Sequence, residues 1–217
     1  MNGSLYRSIR NSDLEAARTA RFADDFFEFG RPKPAGDWRI RHCLPIDTEA
    51  YCAVVTPWKA YVKGASGWLP VREDPFDGLP EAYEAVGLPT PDPLTLDAWH
   101  DDFRIIEQER LIPPLMHAAI DRFSEDADAI FVRCYHGNDV HNWQIDRTLF
   151  FELPDPFVEM PQPFGTITIF PRGTPWFMLN RDDEPILYLA GRAELVKALD
   201  RLAPGRFIRL QPNDRYY

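Results

Sequence analysis

The chain has 217 residues, 45% hydrophobic and 27% charged, a balance that excludes a disordered polymer and suits one domain able to bury most of its apolar surface. A formal net charge of −10 argues against nucleic acid as a direct partner, because phosphate contacts need clustered Lys and Arg, and it favours a basic protein instead. Cys43, Cys52 and Cys134, an odd set without C-x-x-C spacing, read as reduced thiols of a cytoplasmic protein, and no apolar run has the length of a membrane span.

In chain order, Ser12-Asp13-Leu14-Glu15 fits the S-x-x-E capping box and predicts a helix over residues 13–29. Phe22, Phe26 and Phe29 would share one face of it, and Gly30 ahead of Pro32 would stop it. Residues 38–44, 51–55 and 60–62 are rich in apolar and β-branched side chains and predict strands divided by proline turns. Gly64-Ala65-Ser66-Gly67 is out of register for the G-x-S-x-G nucleophile elbow and reads as a turn. Residues 79–86 form a short predicted helix, with Pro80 near its start and Gly87 just past its end.

Pro89-Thr90-Pro91-Asp92-Pro93 is stiff and extended. It is a candidate joint, at residues 89–93, between an N-terminal lobe 1–88 and a C-terminal lobe 94–217 of a single α+β domain. Beyond it, Thr95 can cap a helix with Trp99, Phe103 and Ile106 inward. Asp97, Asp101, Asp102, Glu107 and Glu109 would crowd the opposite face of that helix. Pro113-Pro114 would end it and begin another carrying Leu115, Met116, Ala119, Ile120 and Phe123 at helical spacing.

Residues 129–135 and 147–153 predict buried strands, and residues 166–170, 176–179 and 186–190 predict a C-terminal three-strand meander. The runs at 176 and 186 are apolar on both alternations, so both faces of the sheet should be covered. One cover would be a helix over residues 193–202, whose Leu195, Leu199 and Leu202 recur at i, i+4 and i+7. The fold class expected is α+β, a mixed, mainly antiparallel sheet flanked by helices near 13–29, 96–123 and 193–202.

Two constellations bear on function. In the loop expected between residues 135 and 147, His136, Asp139 and His141 crowd together, the ligand types a metal-dependent hydrolase would use, with His117 or Glu152 as a further ligand. That spacing matches neither H-E-x-x-H nor paired C-x-x-C, and His-Gly-Asn-Asp is also good turn chemistry. Nucleotide signatures such as G-x-G-x-x-G and G-x-x-x-x-G-K-[ST] are missing, and no cofactor is called for. The second constellation pairs Asp97, Asp101 and Asp102 with Trp58, Trp68 and Trp176 at loop or strand edges, where rings can anchor a partner. Singly, each of these rings is more simply the cap of a core edge.

The layout resembles, in style, small bacterial immunity proteins that neutralise a cognate toxin, though no motif identifies a family. The expectation is a non-catalytic binding protein acting on a basic partner, with neither nucleic acid nor membrane involved. A metal-dependent hydrolase and a structural or phage-assembly protein are the alternatives.

Overall fold

The computed structural model describes residues 5–21, 40, 43–55, 58–76, 79–89, 102–107, 114–136, 139–153, 165–180, 186–202, 204 and 207–214. In chain order the elements are β1 (Arg7–Ser8), α1 (Asn11–Ala16), β2 (Ala50–Val55), β3 (Trp58–Gly64), β4 (Gly67–Pro70), α2 (Leu79–Ala85), β5 (Phe103–Glu107) and α3 (Pro114–Asp121). They continue with β6 (Ala129–His136), β7 (Asp139–Asp146), α4 (Arg147–Glu152), β8 (Thr166–Pro171), β9 (Trp176–Asn180), β10 (Ile186–Gly191), α5 (Ala193–Leu202) and β11 (Phe207–Leu210).

Eight strands form one sheet in the order β1-β7-β6-β8-β9-β10-β2-β11, and three form a second in the order β4-β3-β5. The pairs between these strands are antiparallel, which makes the architecture α+β. Strands from both sides of residues 89–93 enter each sheet.

Period-two alternation gives the large sheet two apolar faces. On one, Val54, Val132, Trp143, Ile169, Met178 and Leu189 pack under α3, α4 and α5, which contribute Ile120, Phe150 and Leu195. On the other, Phe131, Phe170, Phe177, Leu179 and Tyr188 pack under Leu14 and Ala17 of the α1 region and under Ile40, Cys43 and Leu44. Both faces are therefore covered, as the doubly apolar runs at 176 and 186 required. The small sheet has its own core, in which Trp58 and Ala60 of β3 meet Phe76 and the α2 residues Ala82 and Tyr83. The end of α2 follows from backbone chemistry: Gly87 holds φ +74, its amide bonds Glu84 O, and the Leu88 amide reaches back to Tyr83 O at 3.0 Å.

Several expectations are overturned. The first helix begins one residue before Ser12 and ends at Ala16, well short of residue 29; Asp13, not Ser12, makes the capping contact, accepting the Arg10 amide at 3.2 Å. Phe22, Phe26 and Phe29 lie outside the described residues. Ile40, Cys43 and Leu44, expected in a strand, belong to a helical turn in which the amides of Cys43 and Leu44 both bond Ile40 O. Their i, i+3, i+4 spacing buries all three on one side.

Residues 103–107, expected in an acidic helix, are strand β5, because five register partners on β3, from Trp58 to Val62, supply a ladder that an isolated helical turn cannot match. Residues 147–152, expected to be a strand, are helix α4, since the Asp146 carboxylate accepts the amides of Thr148 at 2.8 Å and Leu149 at 3.4 Å and so starts a helix there. In α5, Leu195 and Leu199 are buried but Leu202 is 46% exposed; Val196 takes the third inward place. No helix among the described residues is long and apolar enough to cross a membrane.

Candidate functional site

The segment containing His136 and His141 is a hairpin and not an open loop. β6 runs to His136 and β7 starts at Asp139, with His136 opposite Asp139 and His141 opposite Cys134 in the register. Asp139 is exposed, while the half-buried His141 ring stacks on Trp143 at 5.7 Å between centroids and 12° between planes. His117, on α3, has its ring edge-on to Phe151 of α4 at 5.8 Å, and Glu152 is exposed. Among the described residues, no three His, Cys, Asp or Glu side chains come together to hold a metal ion.

Of the acids expected on one helix face, Asp97 and Asp101 lie outside the described residues, and Asp102 is exposed at the entry to strand β5. The three tryptophans separate. Trp58 and Trp176 are 2% and 1% exposed, one in the core of the small sheet and one in that of the large sheet, so neither ring is available to a partner. Trp68 is half-buried on β4, with the Arg104 guanidinium carbon 4.4 Å from its ring centroid.

Acidic charge is exposed elsewhere, at the end of the large sheet where α3 turns into β6 and β7 passes into α4. Glu125, Asp126, Asp128 and Asp146 are exposed there. Arg172 donates to Asp128 at 2.6 Å and holds its carboxyl below the usual range, and Arg147 pairs with Asp121. Glu125 and Asp126 carry no such pairing, so this end keeps an acidic surplus. The two pairings are surface contacts of modest energy, about 0–1 kcal/mol each.

Beside α5, a cleft of about 380 Å³ is lined by Glu49, Tyr51, Lys197, Arg209 and Gln211, among others. A shallower one of about 200 Å³, between Asp47, Thr174 and Arg192, shares Thr48 and Glu49 with it. Glu49 is committed between them: its Oε2 accepts the Ala193 amide at 3.1 Å, so a side chain from before β2 satisfies the first turn of α5. Tyr51 is likewise engaged, its hydroxyl donating to Pro45 O at 2.7 Å.

Under α1 the large sheet carries a polar island that sequence reasoning missed. Arg133, Thr168 and Asn142 are 1%, 1% and 6% exposed, and the register sets Arg133 opposite both of the others. The Arg133 guanidinium lies 4.7 Å from the centre of the Tyr135 ring. Burial lowers the Arg133 pKa, opposed by Tyr135 and Glu15, and burial pushes the Tyr135 phenol up to about 12. Asn142 donates to Asn11 Oδ1 at 2.5 Å, which ties α1 to this island. The available signal was a charged residue inside the apolar run Ile130-Phe131-Val132-Arg133-Cys134.

Comparison with protein families, curated proteins and solved structures finds no match to this chain.

Proposed function

We propose that this chain is a non-catalytic binding protein of the immunity type, which neutralises a basic protein by direct contact. The reading rests on its formal net charge of −10 together with the exposed, unneutralised acids Glu125 and Asp126 beside Asp128 and Asp146. An acidic surplus of this kind raises the encounter rate with a basic partner and fixes orientation more than it adds affinity. The contact surface moves, on this reading, from the acidic helix face envisaged for Asp97, Asp101 and Asp102 to the end of the large sheet.

The test is capture. Immobilised chain incubated with an extract of its host should retain a basic protein that elutes with salt and whose toxicity the chain relieves. Reversing Glu125 and Asp126 to Lys should slow association about tenfold at low salt and flatten its salt dependence, with dissociation little changed. Neutralisation by this variant at the wild-type association rate would remove the acidic end from the interface. A host extract without any basic protein neutralised by the chain would remove the function.

A further inference from the structure

Strand β3 reads Trp58-Lys59-Ala60-Tyr61-Val62-Lys63, and its period of two sends Trp58 and Ala60 into the core while Lys59, Tyr61 and Lys63 stand on the opposite face. Among the residues the register brings to that outer face are Trp68, opposite Lys63, and Arg104, opposite Tyr61. Lys63 is exposed; Lys59, Tyr61, Trp68 and Arg104 are half-buried. Lys59 and Lys63 make no ion pair with a described residue. The acid that the strand ladder places beside them is Asp102, whose carbonyl accepts the Lys63 amide at 2.9 Å. Among the described residues, Lys59 and Lys63 against Asp102 leave this face a positive surplus, opposite in sign to the chain as a whole, and Tyr61 and Trp68 add two rings.

We propose that the outer face of the small sheet docks an extended acidic polypeptide segment, its carboxylates on Lys59 and Lys63 and its intervening side chains on Tyr61 and Trp68. The spacing supports an extended occupant. Lys59 and Lys63 stand four residues apart on one strand, about 13 Å, which is the repeat between carboxylates at i and i+4 of a parallel or antiparallel extended peptide. The rings between them supply apolar contact that a lysine pair alone lacks. Charge density decides against a nucleic acid strand, whose phosphate on every residue meets the repulsion of the chain's net −10 more fully than a few carboxylates do. Stacking points the same way, because Arg104 already covers one side of the Trp68 ring and a base could use only the other. This face is separate from the acidic end assigned to a basic partner, and either assignment can fail without the other.

The experiment titrates the whole chain with a fluorescein-labelled Glu-Thr peptide of repeat Glu-Thr-Val-Thr, which sets carboxylates at i and i+4 with an apolar side chain between them on the same face, its Lys-Thr counterpart with Lys for Glu, and a short oligo(dT). The Glu-Thr peptide should bind saturably and more weakly as salt rises, and the Lys-Thr peptide should not bind this face. Joint substitution Lys59→Glu and Lys63→Glu should weaken the Glu-Thr peptide at least about tenfold, while Lys197→Glu on α5 should change it less than about twofold. Should the double variant fail to fold, Lys63→Gln at the exposed position serves instead and should weaken binding about threefold. Wild-type chain that ignores the Glu-Thr peptide, or a folded variant that binds it as the wild type does, overturns the proposal. Preferential binding of oligo(dT) that is lost with the same lysines would overturn it in favour of a single-stranded nucleic acid.

Discussion

The backbone amide of Thr19 donates to the hydroxyl of Thr174 at 2.9 Å, and Thr174 meets it from a backbone with φ +52. A β-branched residue in the left-handed region is strained. The strain is held by a small network: the Ala20 amide also reaches Thr174 Oγ at 3.3 Å, the Thr19 hydroxyl donates to Gly173 O, and the Gly173 amide bonds Ala17 O at 2.8 Å. The turn between β8 and β9 thus anchors the chain just after α1, which in turn lids the second face of the sheet.

Substitution separates strain from hydrogen bonding at this turn. Thr174→Ala loses the hydroxyl and keeps a Cβ at positive φ; Thr174→Gly loses the same hydroxyl and frees the backbone. The glycine variant should be the more stable of the two by about 1 kcal/mol in urea unfolding, because the left-handed cost of a Cβ outweighs the extra chain entropy of glycine. An alanine variant equal to or above glycine would show that Thr174 is not strained in solution.

Helix α5 offers an internal control for packing. Leu199 is 1% exposed against the sheet and Leu202 is 46% exposed, on the same helix with the same side chain. Leu199→Ala should cost about 2–5 kcal/mol and Leu202→Ala less than about 0.5 kcal/mol. Equal losses at the two positions would mean that the last turn of α5 packs against something in solution.

Cys52 should write a signature on stability at high pH. Burial, with a smaller push from Asp200, raises its thiol from 9.0 to about 12. A raised pKa means that the folded state holds a proton which the unfolded state releases first. The stabilisation is therefore complete below about pH 9 and declines as pH climbs toward about 12, by about 1.4 kcal/mol per pH unit. Other groups titrate in the same window, so the quantity to measure is the difference between wild type and Cys52→Ala. The variant's stability should fall less steeply with pH between 9 and 11. Parallel curves would place the Cys52 thiol in contact with water.

Local signals in the amino-acid sequence were sufficient wherever one element's own neighbours decide its state. The α+β class, the strand around residues 50–55, the hairpin turn at Gly64-Ala65-Ser66-Gly67 and the helix ended by Gly87 all rest on such signals, because alternation, proline and glycine act within a few residues. Double apolarity on β9 and β10 likewise announced that both sheet faces are covered, though not by what. Tertiary structure decided the rest. Phe103 to Glu107 satisfies helical and strand spacing alike, and only the ladder to Trp58–Val62, some 45 residues earlier in the chain, selects the strand. That selection removed the acidic helix face and put Arg104 over Trp68. Burial of Trp58 was also beyond local reading, since a tryptophan beside a proline is equally at home at an edge or in a core until distant side chains close over it. The surface where Lys59, Tyr61, Trp68 and Arg104 meet was half-visible as alternation in β3. Its other half comes from two strands whose side chains reach that face only through hydrogen-bonded register, a relationship between backbones that residue order alone does not encode.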